Sequence, residues 1–128
     1  MIKVVAALIK KDDKFLIARR KKGKHLEFKW EYPGGKVEAN EDEKEALKRE
    51  LKEEFDVSIT VGKFITESYY DYEKININLR VYMIEIFSGN FKFIDHDKIE
   101  WVKSSEFKNY DFAPADIPIN EYIIKNGL

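Results

Sequence analysis

Cysteine is absent from this chain of 128 residues. Its absence excludes disulfide bonds, zinc–thiolate sites and a cysteine nucleophile, and is compatible with a reducing compartment. Long apolar runs are also missing: the run over residues 4–9 falls far short of the roughly 20 residues that a membrane-spanning helix needs. The N-terminal segment also lacks the pattern of a secretory signal peptide. We therefore expect a cytoplasmic protein with no membrane partner.

A large excess of either charge is missing too. The 23 Lys and Arg residues nearly balance the 24 Asp and Glu residues, which leaves a net charge of −1. That balance disfavours a long polyanion, so no nucleic acid polymer is expected as a partner. Hydrophobic residues make up 44% of the chain, which is typical of a folded core. At this length we predict one domain over residues 1–128, as a monomer or a small homo-oligomer.

Apolar runs, β-branched and aromatic residues and, over 75–83, a clear alternation predict five strands, over residues 4–9, 14–20, 57–70, 75–83 and 99–102. Between them lies a helix with Asp42 as its N-cap, Glu45 as its capping-box partner and an end near residues 55–56. A second helix is predicted over residues 119–125, with Asn120 as its N-cap. Strands on both sides of one strong helix predict an α+β fold with a mixed β-sheet between helices.

The first helix carries three glutamates on one face. Glu50, Glu53 and Glu54 are related as i, i+3 and i+4, so they lie close together and repel one another. Taken alone, the helix is better explained as a solvated surface on which Arg49 forms weak ion pairs with Glu45 and Glu53. A cluster of like charges can instead bind a cation, and the residues upstream of the helix favour that second interpretation.

Gly35, Glu41 and residues 49–54 follow the spacing Gly-x5-Glu-x7-Arg-Glu-Leu-x-Glu-Glu. This spacing resembles the Nudix box of the MutT-like hydrolases. Every fixed position matches except the final glycine, which is Asp56 here and is followed by the expected aliphatic residue. Asp tolerates left-handed backbone better than most residues, so we expect the change to affect stability rather than chemistry. The resemblance implies a Nudix fold and hydrolysis of a nucleoside diphosphate linked to another group.

The resemblance also implies a Mg²⁺ site, in which Mn²⁺ is an alternative. Its implied ligands are Glu50, Glu53, Glu54, Asp95 and the carbonyl oxygen of Gly34. Oxygen donors of this kind are the ligands that Mg²⁺ prefers. Glu41 and Arg49 are implied to pair and to orient the helix. Glu53 is favoured as general base, although family members differ in where the base lies, and Asp97 is the fallback for the short side chain of Asp95.

Further stretches resemble the branch of the family that acts on nucleoside triphosphates. Arg20 is implied to reach the nucleotide, and Tyr32 to line the base pocket by stacking. His25 and Lys74 stand where family members contact substrate. Each has an ordinary alternative: a solvated strand end for Arg20, core packing for Tyr32, and an exposed loop for the other two. The turn over residues 32–35 is expected to use Gly34 and Gly35 for positive φ and for close approach of the backbone.

Asp116 lies in the segment Pro114-Ala115-Asp116, where the founding enzymes of the family have asparagine. Ionised aspartate only accepts hydrogen bonds, so it matches bases that present donors, such as the cytosine amine or the guanine N1–H and N2 amine. A protonated aspartate could also donate. The alternative is a simple helix N-cap.

These residues together predict Mg²⁺-dependent hydrolysis of nucleoside triphosphates to nucleoside monophosphate and pyrophosphate. Two substrate classes stay open: cytidine-type triphosphates, and oxidised purine triphosphates such as 8-oxo-dGTP, whose removal cleans the nucleotide pool. A broad enzyme that covers both is slightly favoured. The alternatives are a Nudix hydrolase of ADP-ribose or dinucleoside polyphosphates, and a non-catalytic nucleotide-sensing module. The three intact glutamates argue against the sensing module.

Overall fold

Eight strands and two helices account for most of the chain, of which the computed structural model describes residues 1–128. The strands are β1 (Ile2–Leu8), β2 (Lys10–Lys11), β3 (Lys14–Arg20), β4 (Trp30–Glu31), β5 (Gly34–Lys36), β6 (Ser58–Tyr72), β7 (Ile75–Ser88) and β8 (His96–Val102). The helices are α1 (Glu43–Phe55) and α2 (Ile117–Asn126). Neither helix is long and apolar enough to cross a membrane.

The strands form two sheets. The first has the order β5-β1-β7-β6, and it is mixed because β1 and β7 run parallel while the other pairs are antiparallel. In the second sheet β3 pairs with β2, β4 and β8. β6 and β7 are longer than predicted, because their ladder continues beyond the apolar alternation from which the strands were predicted. β4 was not among the predicted strands.

Opposite faces of β1 pack against the two helices. Val5 and Ala7 belong to one core cluster with the buried face of α1. Ala6 and Leu8 belong to a second cluster with the buried face of α2. Successive side chains of a strand point to opposite faces, so one apolar run serves both clusters. The predicted arrangement of a mixed sheet between helices is confirmed.

Both ends of α1 have the predicted caps, with one difference. The carboxylate of Asp42 accepts hydrogen bonds from the backbone N–H groups of Lys44 and Glu45, at 3.0 and 3.2 Å. The side chain of Glu45 does not complete the capping box, because its carboxylate pairs with Lys48 at 3.6 Å. Asp56 follows the last helical residue in left-handed backbone, with φ 57° and ψ 39°. It therefore takes the conformation for which the family pattern has glycine.

The start of α2 was predicted incorrectly. The helix begins at Ile117, directly after the short 3₁₀ helix Pro114–Asp116, so Asn120 lies inside it and caps nothing. The Oδ1 atom of Asn120 instead accepts a hydrogen bond from the Tyr32 hydroxyl at 2.6 Å. Asn120 therefore contributes a buried polar contact between α2 and the segment that precedes β5.

Gly34 and Gly35 are needed for close approach but not for positive φ. Both lie in β5, and neither is among the residues with positive φ, so that part of the prediction is wrong. A Cβ atom on Gly34 would collide with the carbonyl oxygen of Val5. One on Gly35 would collide with the carboxylate of Glu50. The two glycines therefore let β5 lie directly against β1 on one side and the glutamates of α1 on the other.

Candidate active site

A cavity of about 520 Å³ lies where the first sheet meets α1 and the loop that follows β3. This volume is typical of a small-molecule site, for which about 300–1,000 Å³ is usual. Its wall combines apolar side chains of β1 and β7 with polar ones from several elements, among them Arg20, His25, Glu31, Glu50, Glu54 and Asp116. The cavity therefore brings together most of the candidate residues.

Two of the three box glutamates face the cavity, and the third faces solvent. The side chains of Glu50 and Glu54 are 12% and 19% exposed and line the cavity wall. The side chain of Glu53 is 60% exposed and lies beside them on the same helix. A water molecule could therefore reach Glu53 more easily than the other two carboxylates.

Arg49 ties the carboxylate helix to the strand before it. Its Nε and Nη2 atoms donate to the carboxylate of Glu41 at 2.8 and 3.0 Å, which confirms the predicted pair. Nη2 also donates to the carbonyl oxygen of Lys36 at 2.9 Å, while Nη1 donates to Glu50 and Glu53 at 2.9 and 3.2 Å. The hydrogen bond from Arg49 is the main reason that the pKa of Glu41 is lowered to about 2. A single guanidinium thus fixes the helix and two of its glutamates.

The carboxylates at the cavity wall repel one another, and too little positive charge lies near them to offset that repulsion. Burial, together with repulsion from Glu50, Glu31 and Asp95, raises the pKa of Glu54 to about 8. Burial also raises the pKa of Glu50, against the opposing effect of Arg49. A divalent cation among these oxygens would remove the repulsion, and a set of carboxylate oxygens suits a hard ion such as Mg²⁺. No three acidic or histidine side chains are already gathered around one metal position, so the ligand set stays a prediction.

Arg20 and His25 lie together at the cavity. The Nε atom of Arg20 donates to the backbone oxygen of His25 at 2.6 Å. Its Nη1 atom pairs with the carboxylate of Glu31 at 3.1 Å. The His25 ring meets the ring of Tyr72 edge-on, with centroids 5.8 Å apart. Both candidate residues are therefore placed where a ligand in the cavity would reach them.

Tyr32 is among the residues that line the cavity, but it is almost fully buried. The residue is 3% exposed, and its ring packs in the core against Phe107 and Phe112, with centroids 6.4 and 5.8 Å away. Burial raises the pKa of its hydroxyl, which donates to Asn120. These contacts favour the alternative of core packing, and base stacking on Tyr32 stays a prediction. Only its backbone has a direct link to a candidate residue: its N–H donates to Asp116 Oδ1 at 3.2 Å.

Asp116 lies at the cavity wall and is 6% exposed. It occupies the position before α2, yet its side chain caps no backbone N–H of that helix. The helix-cap alternative is therefore wrong. Burial, with repulsion from Glu31, raises the pKa of Asp116 well above its ordinary value. A buried carboxyl group that lines a cavity can recognise a ligand edge by hydrogen bonding.

Three other candidates lie outside the lining of the cavity. Asp95 pairs with Lys24 at 2.9 Å, although its charge still contributes to the raised pKa of Glu54. Asp97, the fallback, is held on both oxygens by Arg19 at 2.7 and 2.8 Å and is therefore a poor replacement for Asp95. Lys74 is exposed in the turn between β6 and β7.

Two residues that were not predicted join the site. Glu31 lines the cavity and accepts hydrogen bonds from both Arg20 and His96, the latter at 2.8 Å. His96 is almost fully buried behind it, 3% exposed. The only sequence signal for Glu31 is a charged residue between two aromatic ones, and for His96 its place next to Asp95. Neither signal specifies a contact between the two.

Comparison with known proteins agrees with the fold and shows the family. The model of the NUDIX domain matches residues 4–122. The chain is 37% identical over 121 residues to the CTP pyrophosphohydrolase of Escherichia coli (strain K12), covering 94% of this chain and 90% of that one. It is 35% identical over 120 residues to the putative 8-oxo-dGTP diphosphatase 2 of Mycobacterium tuberculosis (strain ATCC 25618 / H37Rv), covering 88% and 81%.

Solved structures of other proteins share this fold. The solution structure of the E. coli ORF135 protein superposes with a TM-score of 0.87 at 36% identity, covering 98% of this chain and 89% of that one. The MutT protein from Methanosarcina mazei Go1 shares the fold, with a TM-score of 0.89 at 23% identity, covering 98% and 94%. This chain belongs to the Nudix hydrolase family. It is an enzyme of that family, with relatives that are named as pyrophosphohydrolases and diphosphatases.

Proposed function

We propose that this Nudix hydrolase cleaves nucleoside triphosphates to nucleoside monophosphate and pyrophosphate, with Mg²⁺ or Mn²⁺ as its cofactor. One observation carries the proposal: Glu50 and Glu54 line the same cavity as Arg20 and Asp116. A cavity with carboxylates for a cation, a guanidinium for phosphate and a buried carboxyl for a base edge suits a nucleotide.

The proposed substrates are cytidine-type triphosphates and oxidised purine triphosphates such as 8-oxo-dGTP. Support comes from Asp116, since an acceptor matches the amine of cytosine and the N1–H and N2 edge of guanine. The raised pKa of this buried carboxyl also allows it to donate in its neutral form. Relatives named for each substrate class agree with a broad enzyme.

In the proposed mechanism, Arg20 binds a phosphate group by paired hydrogen bonds. Glu53, the most exposed of the three box glutamates, accepts a proton from the attacking water while a bridging P–O bond breaks and pyrophosphate leaves. Arg49 and Glu41 keep the helix in place. Glu50, Glu53, Glu54, Asp95 and the carbonyl oxygen of Gly34 are the proposed ligands of the cation. When bound, it would neutralise charge on the phosphate oxygens and lower the pKa of a water.

The test is pyrophosphate release from a panel of natural, methylated and oxidised triphosphates, with and without Mg²⁺. Glu53→Gln should lower kcat by about 10²-fold or more, the usual contribution of a general base. Glu45→Gln is the matched control, because Glu45 is exposed on the same helix and pairs only with Lys48. It should keep the wild-type rate. Removal of the metal with EDTA should abolish activity, and an excess of Mg²⁺ over EDTA should restore it.

Two results would overturn the proposal. The first is faster hydrolysis of ADP-ribose or a dinucleoside polyphosphate than of any triphosphate. The second is tight binding of a triphosphate that stays intact at saturating Mg²⁺, which would indicate a nucleotide-sensing module. The acceptance of Mn²⁺ is tested by replacing Mg²⁺ in the same assay.

A further inference from the structure

His96 contains the one buried side-chain nitrogen or oxygen that has no hydrogen-bond partner. The atom is Nδ1, and its nearest acidic neighbour is Glu54 Oε2 at 3.9 Å, beyond hydrogen-bond distance. The ring itself is held firmly, stacked on Phe55 of α1 with centroids 4.9 Å apart and planes 23° from parallel. A buried polar atom without a partner costs free energy of folding.

The Nε2 atom of His96 makes that other contact, to Glu31 Oε2 at 2.8 Å. The same oxygen pairs with Arg20 Nη1 at 3.1 Å. Because a carboxylate accepts hydrogen bonds, Nε2 carries the proton and donates it. Glu31 is thus held from two sides, by a buried ring behind the cavity wall and by a guanidinium within the cavity.

The strand register brings the same residues together. In the ladder between β3 and β8, Arg20 lies opposite His96, and the register shifts between Arg19 and Arg20. Such an irregularity turns the side chains beyond it, and irregularities of this kind are frequent beside active sites. Here it lies at the last pair of the ladder, where Arg20 turns to Glu31 and to the loop that carries His25.

We propose that His96 is a positioning residue: its Nε2–H holds Glu31, and through Glu31 the Arg20 guanidinium, in the orientation that receives the nucleotide. The inference rests on the proposed function for the identity of the ligand but not for the arrangement of the side chains. His96 touches neither the substrate nor the reacting atoms. Its removal therefore weakens nucleotide binding and leaves the chemical step largely intact.

Three substitutions separate the two ring nitrogens. In His96→Gln the amide nitrogen can replace Nε2, whereas in His96→Asn it can replace only Nδ1. His96→Phe removes both nitrogens and keeps an aromatic ring against Phe55. The Gln and Asn variants carry the same amide and differ by one methylene, and the Phe variant keeps the aromatic packing, so an effect shared by Asn and Phe but absent in Gln reports the contact with Glu31. Thermal unfolding identifies any variant that is not folded.

The first experiment needs no nucleotide. The ¹H–¹⁵N resonance of Arg20 Nη1–H, the group that donates to Glu31, is recorded in the wild type and the three variants, and it is assigned by its loss in Arg20→Lys. We expect the Gln variant to keep the wild-type resonance and the Asn and Phe variants to shift or broaden it. An unchanged resonance in all variants, or retention only in Asn, would overturn the proposal. A failure of the proposed function leaves this readout intact.

The second experiment measures kcat and KM for the best triphosphate. Loss of a hydrogen bond to a charged group is expected to raise KM about tenfold or more in the Phe and Asn variants, with kcat within about threefold, and the Gln variant should restore KM. A fall in kcat at constant KM would contradict positioning of Arg20. If the wild type cleaves no triphosphate, the proposed function fails while the resonance of Arg20 still decides the role of His96.

Discussion

The two walls of the cavity differ in how well their charged and polar groups are paired. On the α1 wall, Glu50 and Glu54 are crowded with other carboxylates, and the pKa of Glu54 is raised to about 8. The opposite wall is formed by Tyr32 and by Asp116 just before α2, and it is termed the α2 wall: here the Tyr32 hydroxyl binds Asn120, and the Tyr32 N–H binds Asp116. A cation would therefore relieve the repulsion on the α1 wall, whereas these polar groups of the α2 wall already have hydrogen-bond partners. Substitutions on the two walls should accordingly affect different properties.

The largest effect is expected from Glu50→Gln on the α1 wall. The substitution removes a proposed metal ligand, so kcat/KM should fall by about 10²-fold or more. It also removes a buried charge from a repelling cluster, so the metal-free protein should unfold at the same temperature or higher. Assays of pyrophosphate release and thermal unfolding without metal test both signs, with Glu45→Gln as the control. Lower stability together with unchanged activity would show that the α1 wall is a structural network.

On the α2 wall, Tyr32→Phe should lower stability and leave activity unchanged, which is the reverse of the effect expected for Glu50→Gln. It deletes the hydroxyl that donates to Asn120 and leaves a buried acceptor without a partner, so the free energy of unfolding should fall by about 1–3 kcal/mol. Because the ring lies in the core, kcat and KM should stay close to wild type. Urea unfolding and steady-state kinetics measure the two quantities. A large rise in KM without loss of stability would instead favour the stacking role that was predicted for Tyr32.

Asp116→Asn should alter selectivity more than rate. An amide both donates and accepts at any pH, so it can bind the O6 acceptor of an oxidised guanine, which an ionised carboxylate cannot. The ratio of kcat/KM for 8-oxo-dGTP over that for dCTP should rise by about tenfold, roughly the value of one hydrogen bond. Competition between the two substrates in one reaction measures the ratio directly. An unchanged ratio would exclude Asp116 from reading the base.

The smallest effect concerns the ion pair that holds the α1 wall in place. The pKa of Glu41 is lowered to about 2, chiefly by its hydrogen bond with Arg49. An acid with a lowered folded-state pKa stabilises the protein above its unfolded-state pKa, and this contribution is lost as pH falls towards 2. The melting temperature of Glu41→Gln should therefore approach that of wild type as pH falls from about 5 to 2. A difference that does not depend on pH would contradict this account.

The α1 wall could be predicted because its geometry is local. Glutamates at i, i+3 and i+4 share a helix face, and the cap residues Asp42 and Asp56 lie at the ends of the same helix. The pair of Glu41 and Arg49 spans only eight residues. Sequence spacing alone fixes such contacts once the helix forms. The resemblance to the Nudix box then supplied their chemistry.

The α2 wall could not be predicted, because its contacts are distant in sequence. Tyr32 and Asn120 are 88 residues apart, and Tyr32 and Asp116 are 84 apart. Periodicity at Tyr32 suits a core residue and a pocket residue equally well. Likewise, the glycines of β5 were assigned to a turn because nothing local reveals that β5 pairs with β1. Only the assembled fold decides between such alternatives.

The parallel ladder of the first sheet has a consequence for how the chain folds. β1 pairs with β7 from Ile2 opposite Ile77 to Leu8 opposite Met83, a separation of 75 residues throughout. Pairing between strands so far apart in sequence is slow, because the chain must close a large loop before the contacts form. During synthesis the first apolar strand therefore waits until most of the polypeptide has left the ribosome. Over that interval its unpaired edge is open to aggregation and to capture by chaperones.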